Sequence, residues 1–421
     1  MYKRLIIIFS LLTCSLAQAN TKVSINLFQK QDAFVNLTAQ QNGLYKNHIT
    51  NSNISFEHNF KTSKSNSINL QWFLNEDEIV LQNFSFFMQK EYGTFKIGQF
   101  PKERIYEQNN FSSGSMIFSD NAKYIPGVSF NTNWLNVYDF FDIKIELYQG
   151  KFNSQNNYSE GPYLHYKSIL LNKKISQNLI GFSIQHAVQF GGVDQFGEKI
   201  PTNPRTFFRM IAAQNGDDSQ PKIDRNYKIG NGLGSYTFFI SNSLKNGNLD
   251  IYYEHFFDDK SGAKMKNMED GLFGVMYKNN NFELLFENLN TRHQSGKQHP
   301  PGVDSYYWHQ TYAFGWTNDE VSIGNSLIKP TSNRKLVNSL TSKVIFNSMH
   351  IIAQLSSSKE YVPFTDKNGN EPYENVLEVL EKYDNYLFGI KREIINDQSI
   401  SLFFAKYNNS NNIKLSYHLS F

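Results

Sequence analysis

Between Arg292 and Trp316 the chain carries Arg292, His293, Gln294, His299, Asp304, Tyr306, Tyr307, Trp308, His309 and Trp316. Flat aromatic rings of this kind stack on the apolar face of a sugar ring. Guanidinium, carboxylate, amide and imidazole groups make paired hydrogen bonds to vicinal hydroxyls or to a uronate carboxylate. The set therefore suits contact with a glycan. Other duties compete for single members: Tyr307 and Trp316 serve equally well as girdle residues facing lipid, and Asp304 can cap a turn.

Metal and catalytic chemistry find weaker footing. His293, His299 and His309 lack the short paired spacings of zinc sites, so they read as solvated or hydrogen-bonded imidazoles. Asp217, Asp218, Asp258, Asp259 and Asp270 could offer oxygen to calcium, but no loop shows the ligand-and-glycine pattern of an EF-hand. They read as acidic loop surface. No metal or cofactor is expected. No Gly-x-Ser-x-Gly elbow is present, and no spacing forces Ser, His and Asp together. Carboxylates are so abundant that a glycosidase pair could be drawn anywhere. Gly191-Gly192 and Gly230-Asn231-Gly232-Leu233-Gly234 do not sit between a strand and a helix, so they read as loop corners rather than phosphate cradles. An enzyme is not expected.

The elements that must position these residues announce themselves at the two ends. The last ten residues, Asn412 to Phe421, alternate polar with apolar, placing Ile413, Leu415, Tyr417, Leu419 and Phe421 on one strand face that can lie against lipid. At the other end Lys3 and Arg4, the apolar run Leu5 to Leu12 and Ala17-Gln18-Ala19 read as a secretory signal cleaved before Asn20. The only cysteine, Cys14, leaves with that signal. The mature chain, residues 20 to 421, is then a single exported domain without disulfides, whose stability must come from elsewhere, such as a closed hydrogen-bonded barrel.

After Leu12 no stretch approaches the roughly 18 apolar residues of a spanning helix, and the mean hydropathy is -0.50. Yet 36 Phe and 24 Tyr in 421 residues is heavy aromatic use, of the kind that builds interfacial girdles. The net charge of +3 comes from scattered Lys and Arg without a basic stripe, which gives no case for nucleic-acid binding.

Short Asn-, Lys- or Gly-rich turns (Lys61 to Asn66, Glu91 to Gly93, Leu171 to Asn178, Lys245 to Asn248, Lys278 to Asn281, Thr317 to Glu320, Asn347-Ser348, Asn396 to Gln398) alternate with long connections. The long ones are Pro101 to Ile125, Lys151 to Gly161, Gly191 to Gly232, Asp258 to Asp270, Arg292 to Asp304, Ser326 to Lys335 and Ser358 to Tyr383. An up-and-down transmembrane β-barrel with its amino terminus in the periplasm predicts this alternation, short turns inside and long loops outside. At roughly 20 to 24 residues per strand and connection, the mature chain makes an all-β, antiparallel barrel of about 18 strands, within about 16 to 20. Glu374 to Tyr383 reads equally as a short helix or as a loop turn in the last long connection.

The run Asp270 to Lys329 closely resembles the capsule assembly Wzi family in the form common among Bacteroidota. The matching pieces are Asp270-Gly271-Leu272-Phe273-Gly274, Glu287-Asn288-Leu289-Asn290-Thr291, Gln294-Ser295-Gly296, Asp304-Ser305-Tyr306-Tyr307, Gly315-Trp316-Thr317 and Gly324-Asn325-Ser326-Leu327-Ile328. Ser112 to Ser115 with Ser119 to Pro126 resembles the family's first long loop, and Leu233 to Tyr236 with His255 to Asp259 its middle. The resemblance runs from about Ala33 to the end. It implies an outer-membrane barrel, usually of 18 strands, that holds capsular polysaccharide at the cell surface as a lectin. Thr21 to Gln40 reads as strand, so the amino-terminal helical bundle of enterobacterial members is not expected here.

The expected partners are capsular or extracellular polysaccharide, outer-membrane lipid and lipopolysaccharide, and the barrel-assembly machinery through Tyr417, Leu419 and Phe421. A porin-type diffusion channel for small solutes shares every general barrel signal and is the alternative. A barrel enzyme acting on lipid or glycan is a third reading.

Overall fold

The first strand, β1 (Ala19–Phe28), pairs antiparallel both with β2 (Ser52–Lys61) and with the last strand, β21 (Ser410–Ser420), so the sheet has no edge. The computed structural model describes residues 19–28, 52–63, 65–75, 79–106, 111–152, 160–194, 196–226, 228–258, 260–294, 306–312, 314–330, 334–361, 379–394, 398–407 and 410–420.

From β2 the chain passes through β3 (Asn66–Asn75), β4 (Ile79–Lys90), β5 (Gly93–Gln99), β6 (Pro126–Thr132), β7 (Leu135–Val137) and β8 (Phe141–Lys151). It continues through β9 (Tyr163–Ile175), β10 (Asn178–Phe190), β11 (Asn231–Leu244), β12 (Gly247–Phe257), β13 (Gly271–Lys278) and β14 (Phe282–Asn290). A detached two-stranded hairpin follows, β15 (Thr317–Asn318) with β16 (Val321–Ser322). The barrel resumes with β17 (Arg334–Phe346), β18 (Met349–Tyr361), β19 (Val379–Glu393) and β20 (Gln398–Tyr407). Of the nineteen strands in the main sheet, β6 and β7 both lie along β8 as two parts of one stave, which makes a closed antiparallel barrel of 18 staves. Among the described residues no helix is long and apolar enough to cross a membrane.

Register explains the alternation. Ile251 opposes Ile240 and Val275, Phe286 opposes Leu340, Leu340 opposes Leu355, Phe388 opposes Phe404, and Leu402 opposes Leu415. This apolar row faces outward, and its larger members are exposed on the isolated chain, as a lipid-facing band must be. Ile413 and Leu415 lie in it, with Tyr417 and Leu419 following on the same face. The intervening positions point inward: Tyr252, Glu254, Phe256, Leu272, Leu285, Glu287 and Leu289 are all buried. Exposed Tyr92, Trp134, Phe140 and Phe346 gather by the short turns, where a lower girdle belongs.

Short turns fall where the sequence puts them at Glu91-Tyr92, Ser176-Gln177, Lys245-Asn246 and Asn347-Ser348, and Asn396-Asp397 lies outside the described residues. Two expectations are corrected. Strand β14 pairs directly with β17, so the Thr317 to Glu320 turn is not a turn between staves. It joins β15 to β16 inside one long connection that buries Tyr306, Tyr307, Tyr312 and Trp316 against protein instead of lipid. Neither the short helix nor the loop turn read over Glu374 to Tyr383 holds for the part that is described: Val379 to Tyr383 belong to β19, where pairing with β18 overrides the local pattern, and 374–378 lie outside the described residues. The strand reading of Thr21 to Gln40 holds to Phe28, and its remainder lies outside the described residues. One break was not foreseen. The stave formed by β6 and β7 ends in a hairpin at Tyr138 and Asp139, both at positive φ.

Candidate functional site: two loops inside the barrel

The described parts of two connections from the long-loop end fold inward: residues 100–106 and 111–125 between β5 and β6, and residues 291–294, 306–312 and 314–330 between β14 and β17. Both are held by carboxylates on the inner wall. Glu287 accepts hydrogen bonds from Ser112 Oγ at 2.6 Å, from the Ser113 amide at 2.8 Å and from the Tyr252 hydroxyl at 2.7 Å. Glu254 accepts from Ser115 Oγ at 2.8 Å, from the Tyr106 hydroxyl at 3.1 Å and from the Met116 amide. A buried carboxylate is tolerated where several donors converge on it, so these two glutamates act as sockets for the first loop.

Charge fixes the start of that loop. Lys102 Nζ lies 3.0 Å from Glu146 and 3.3 Å from the centre of the Tyr148 ring. Burial pulls its pKa down to about 8 against the attraction of Glu146. Burial would raise Glu103, but the charge of Lys96 and hydrogen bonds from Lys144 and Lys96 bring it down to about 2. A cavity of about 40 Å³ beside Lys102, Arg104, Ser115, Phe118 and Tyr166 is the space left under the loop.

The second loop closes over the first. Asp270, just before β13, accepts from the amides of His293 and Gln294 at 2.8 and 2.7 Å and from the Tyr306 hydroxyl at 2.8 Å. Burial raises its pKa while those donors oppose the rise. The Tyr307 hydroxyl donates to the Met116 carbonyl and accepts from the Asn325 amide at 2.8 Å. Asn325 Nδ2 reaches Ser113 Oγ at 3.0 Å and the Gly114 carbonyl at 2.8 Å. Trp316 Nε1 donates to the Ile117 carbonyl at 2.8 Å. Gly315 takes φ 61°, and a Cβ there would collide with the Tyr307 carbonyl. The matched pieces Ser112 to Ser115, Gly315-Trp316-Thr317 and Gly324-Asn325-Ser326 are thus the interlocking parts of two loops.

The glycan candidates divide accordingly. Tyr306, Tyr307 and Trp316 are 3%, 2% and 0% exposed, so they are neither open stacking platforms nor lipid-facing girdle residues. Trp308 is 48% exposed. His309 is half-buried, accepts from the Thr311 amide at 3.2 Å, and is pulled down to about pKa 4 by burial. Arg292 donates from Nε to Asn290 at 3.0 Å and holds its guanidinium 5.7 Å over the Tyr361 ring. His293 is half-buried and Gln294 buried. His299, Asp304 and Phe421 lie outside the described residues. Asp270, considered for calcium, has its oxygens engaged by Tyr306 and two amides, and Asp217 accepts from Ser219. Among the described residues no three His, Cys, Asp or Glu stand where they could hold a metal.

Sequence reasoning missed the sockets Glu254 and Glu287 and the bridge Asn325. The local sequence carried no signal for the two glutamates, since an acid at an inward strand position is ordinary in a watery lumen.

No curated protein matches the chain. Among solved structures, a triple mutant of the Rhodopseudomonas blastica porin has 11% identity and a TM-score of 0.40, over 96% of this chain and 99% of that one. A loop-deletion mutant of OmpT, an outer membrane protein of Vibrio cholerae, has 7% identity and a TM-score of 0.38, over 96% and 98%. The family model described as capsule assembly protein Wzi matches residues 109–331, just over half of the chain, from within the first inward loop to the end of the second. This outer-membrane barrel belongs to the Wzi capsule assembly family.

Proposed function

We propose that the protein binds surface polysaccharide at the outer face of the membrane and helps assemble or retain a capsule there, as a lectin rather than as an enzyme. The observation that carries this reading is the span of the family match, which takes in most of both interlocked loops. The likeness of Asp270 to Lys329 to members common among Bacteroidota favours that branch. In this reading the chain is exported through a signal ending near Ala19, and its last strand, with Tyr417, Leu419 and Phe421, is what the barrel-assembly machinery receives.

The contact surface we assign is the open side of the second loop. Trp308 offers a ring face with His309 next to it in sequence, Arg292 and His293 stand at the start of the same loop, and Tyr306, Tyr307 and Trp316 build the frame beneath. His299 and Asp304 belong to the same run. Weak contacts suffice, because a long polymer touching many barrels gains avidity from effective concentration. Inward-folded loops belong to the porin-type alternative as well, so ion conductance in a planar bilayer separates the two readings: the anchoring lectin should be closed or nearly so.

Deleting the gene, with wild-type complementation, tests the reading. Polysaccharide should move from the cell surface to the medium with total synthesis unchanged. An unchanged distribution with reduced uptake of small solutes would overturn it in favour of a channel.

A further inference from the structure

The connection between β10 and β11 turns outward rather than inward. On the outer face of β9 and β10, exposed Ile169 and Ile184 give way toward the long-loop end to Lys167 and His186, and then to His165, Val188 and Phe190, which are buried. A helix covers them. This helix, α1 (Pro204–Ile211), starts from Asn203, whose side chain accepts from the Thr206 amide at 2.9 Å, with Pro204 following. Met210 packs against Val188, Phe190 and Ile229, and the Phe207 ring meets His165 edge-on at 5.8 Å. Lys167 Nζ donates to the carbonyl of Ile211, the last residue of α1, where a cation offsets the helix dipole. The helix therefore lies on the outside of the wall, on the order of 10 to 15 Å along the strands from the last exposed isoleucines, at about 3.3 Å per residue.

On its opposite face α1 carries side chains that are exposed among the described residues. Arg205 and Phe208, one turn apart, are exposed, Phe208 by 69%, and Arg209 beside them pairs with Asp217 at 3.7 Å. An aromatic side chain between arginines, set where the first cation interrupts the lipid-facing row, is the pattern of a helix lying in a membrane interface. We propose that this face of α1 docks on the phosphorylated headgroup of lipopolysaccharide in the outer leaflet, with Phe208 reaching toward acyl chains and Arg205 and Arg209 engaging phosphate. Arginine forks match phosphate geometry. Continuity with the lipid-facing wall and the exposed guanidinium of Arg205 beside Phe208 point to this occupant rather than a soluble protein, with Arg209 shared between Asp217 and the phosphate.

The test uses the full-length protein in detergent with phosphorylated lipopolysaccharide, dephosphorylated lipopolysaccharide and inorganic phosphate as probes, read by native mass spectrometry and titration. The wild type should bind the phosphorylated form at least tenfold more tightly than the dephosphorylated one. The double variant Arg205→Glu with Phe208→Ser should lose that preference while keeping the mobility of a folded barrel in unheated gels. Should the double variant not fold, Arg205→Ala and Phe208→Ser are read singly, and each should weaken binding severalfold. Wild-type binding by folded variants would overturn the proposal. Equal competition by inorganic phosphate would overturn the lipid as source. A wild type that dimerises without lipopolysaccharide, beside a monomeric variant, would assign the face to a second copy of the chain.

Discussion

The indole of Trp316 donates its one hydrogen bond, 2.8 Å long, to the main-chain carbonyl of Ile117, joining two loops that lie far apart in sequence and side by side inside the barrel. Trp316 is wholly buried, and the Phe118 ring stands 6.1 Å from its own. Replacing it with alanine removes the core of the contact and orphans the carbonyl, which should cost the interlocked loops about 3 to 5 kcal/mol. The barrel wall keeps its ladder. Trp316→Ala should therefore migrate as a folded barrel in unheated gels yet show raised ion conductance in a planar bilayer and faster proteolysis within 306–328. Unchanged conductance and protease resistance would mean that the indole does not hold the loops.

Asp270 bears a similar duty at the rim. Its carboxylate serves two amides and a tyrosine hydroxyl, so Asp270→Ala strands three donors at a buried site, and a loss of about 3 kcal/mol or more is expected. Asp270→Asn keeps an acceptor and should lose less. Hydrogen exchange at the His293 and Gln294 amides reads the difference. Equal protection in all three proteins would show that the carboxylate is dispensable.

The wall was legible in the sequence because a period of two leaves few alternatives. Ile413, Leu415 and Tyr417 face outward as their spacing requires, the alternation of short turns with long connections pointed to the up-and-down topology, and chain length per strand pointed to about 18 staves. The loops were legible only as loops. Nothing in the local pattern around Trp316 separates a residue that faces lipid from one that faces another loop nearly 200 positions away, since both are apolar and both occur singly. The two-residue strands β15 and β16 mimicked a membrane hairpin for the same reason. Glu254 and Glu287 show the converse: an inward acid is commonplace in a watery lumen, and only the packed first loop turns it into a socket.

His309 makes the second loop sensitive to acid. Burial holds its imidazole at about pKa 4, below the ordinary value of 6.5, so the unfolded loop takes up a proton more readily than the folded one between those values. The stability contributed by the neutral ring is full above pH 6.5 and lost as pH falls toward 4, with an upper bound of about 3 kcal/mol at 1.36 kcal/mol per unit. Residues 306–312 should exchange amide hydrogens faster at pH 5 than at pH 7, and His309→Gln should flatten that dependence. A pH profile unaltered by His309→Gln would place the sensitivity in another group.

Trp308 tests the lectin reading, because its ring is the exposed one among the aromatics of the second loop's described part. Stacking on a sugar face and a guanidinium hydrogen bond are each worth little alone, but a polymer held by many barrels multiplies a small loss at every site. Trp308→Ala with Arg292→Ala should release most cell-associated polysaccharide into the medium at normal barrel levels. Trp308→Phe should retain more than Trp308→Ala, since it keeps an aromatic face. Arg292 also lies over Tyr361, so the single variants must be read beside the pair to separate lost glycan contact from a shifted rim. Retention equal to wild type in the double variant, with the protein present in the membrane, would remove this loop surface from the binding site.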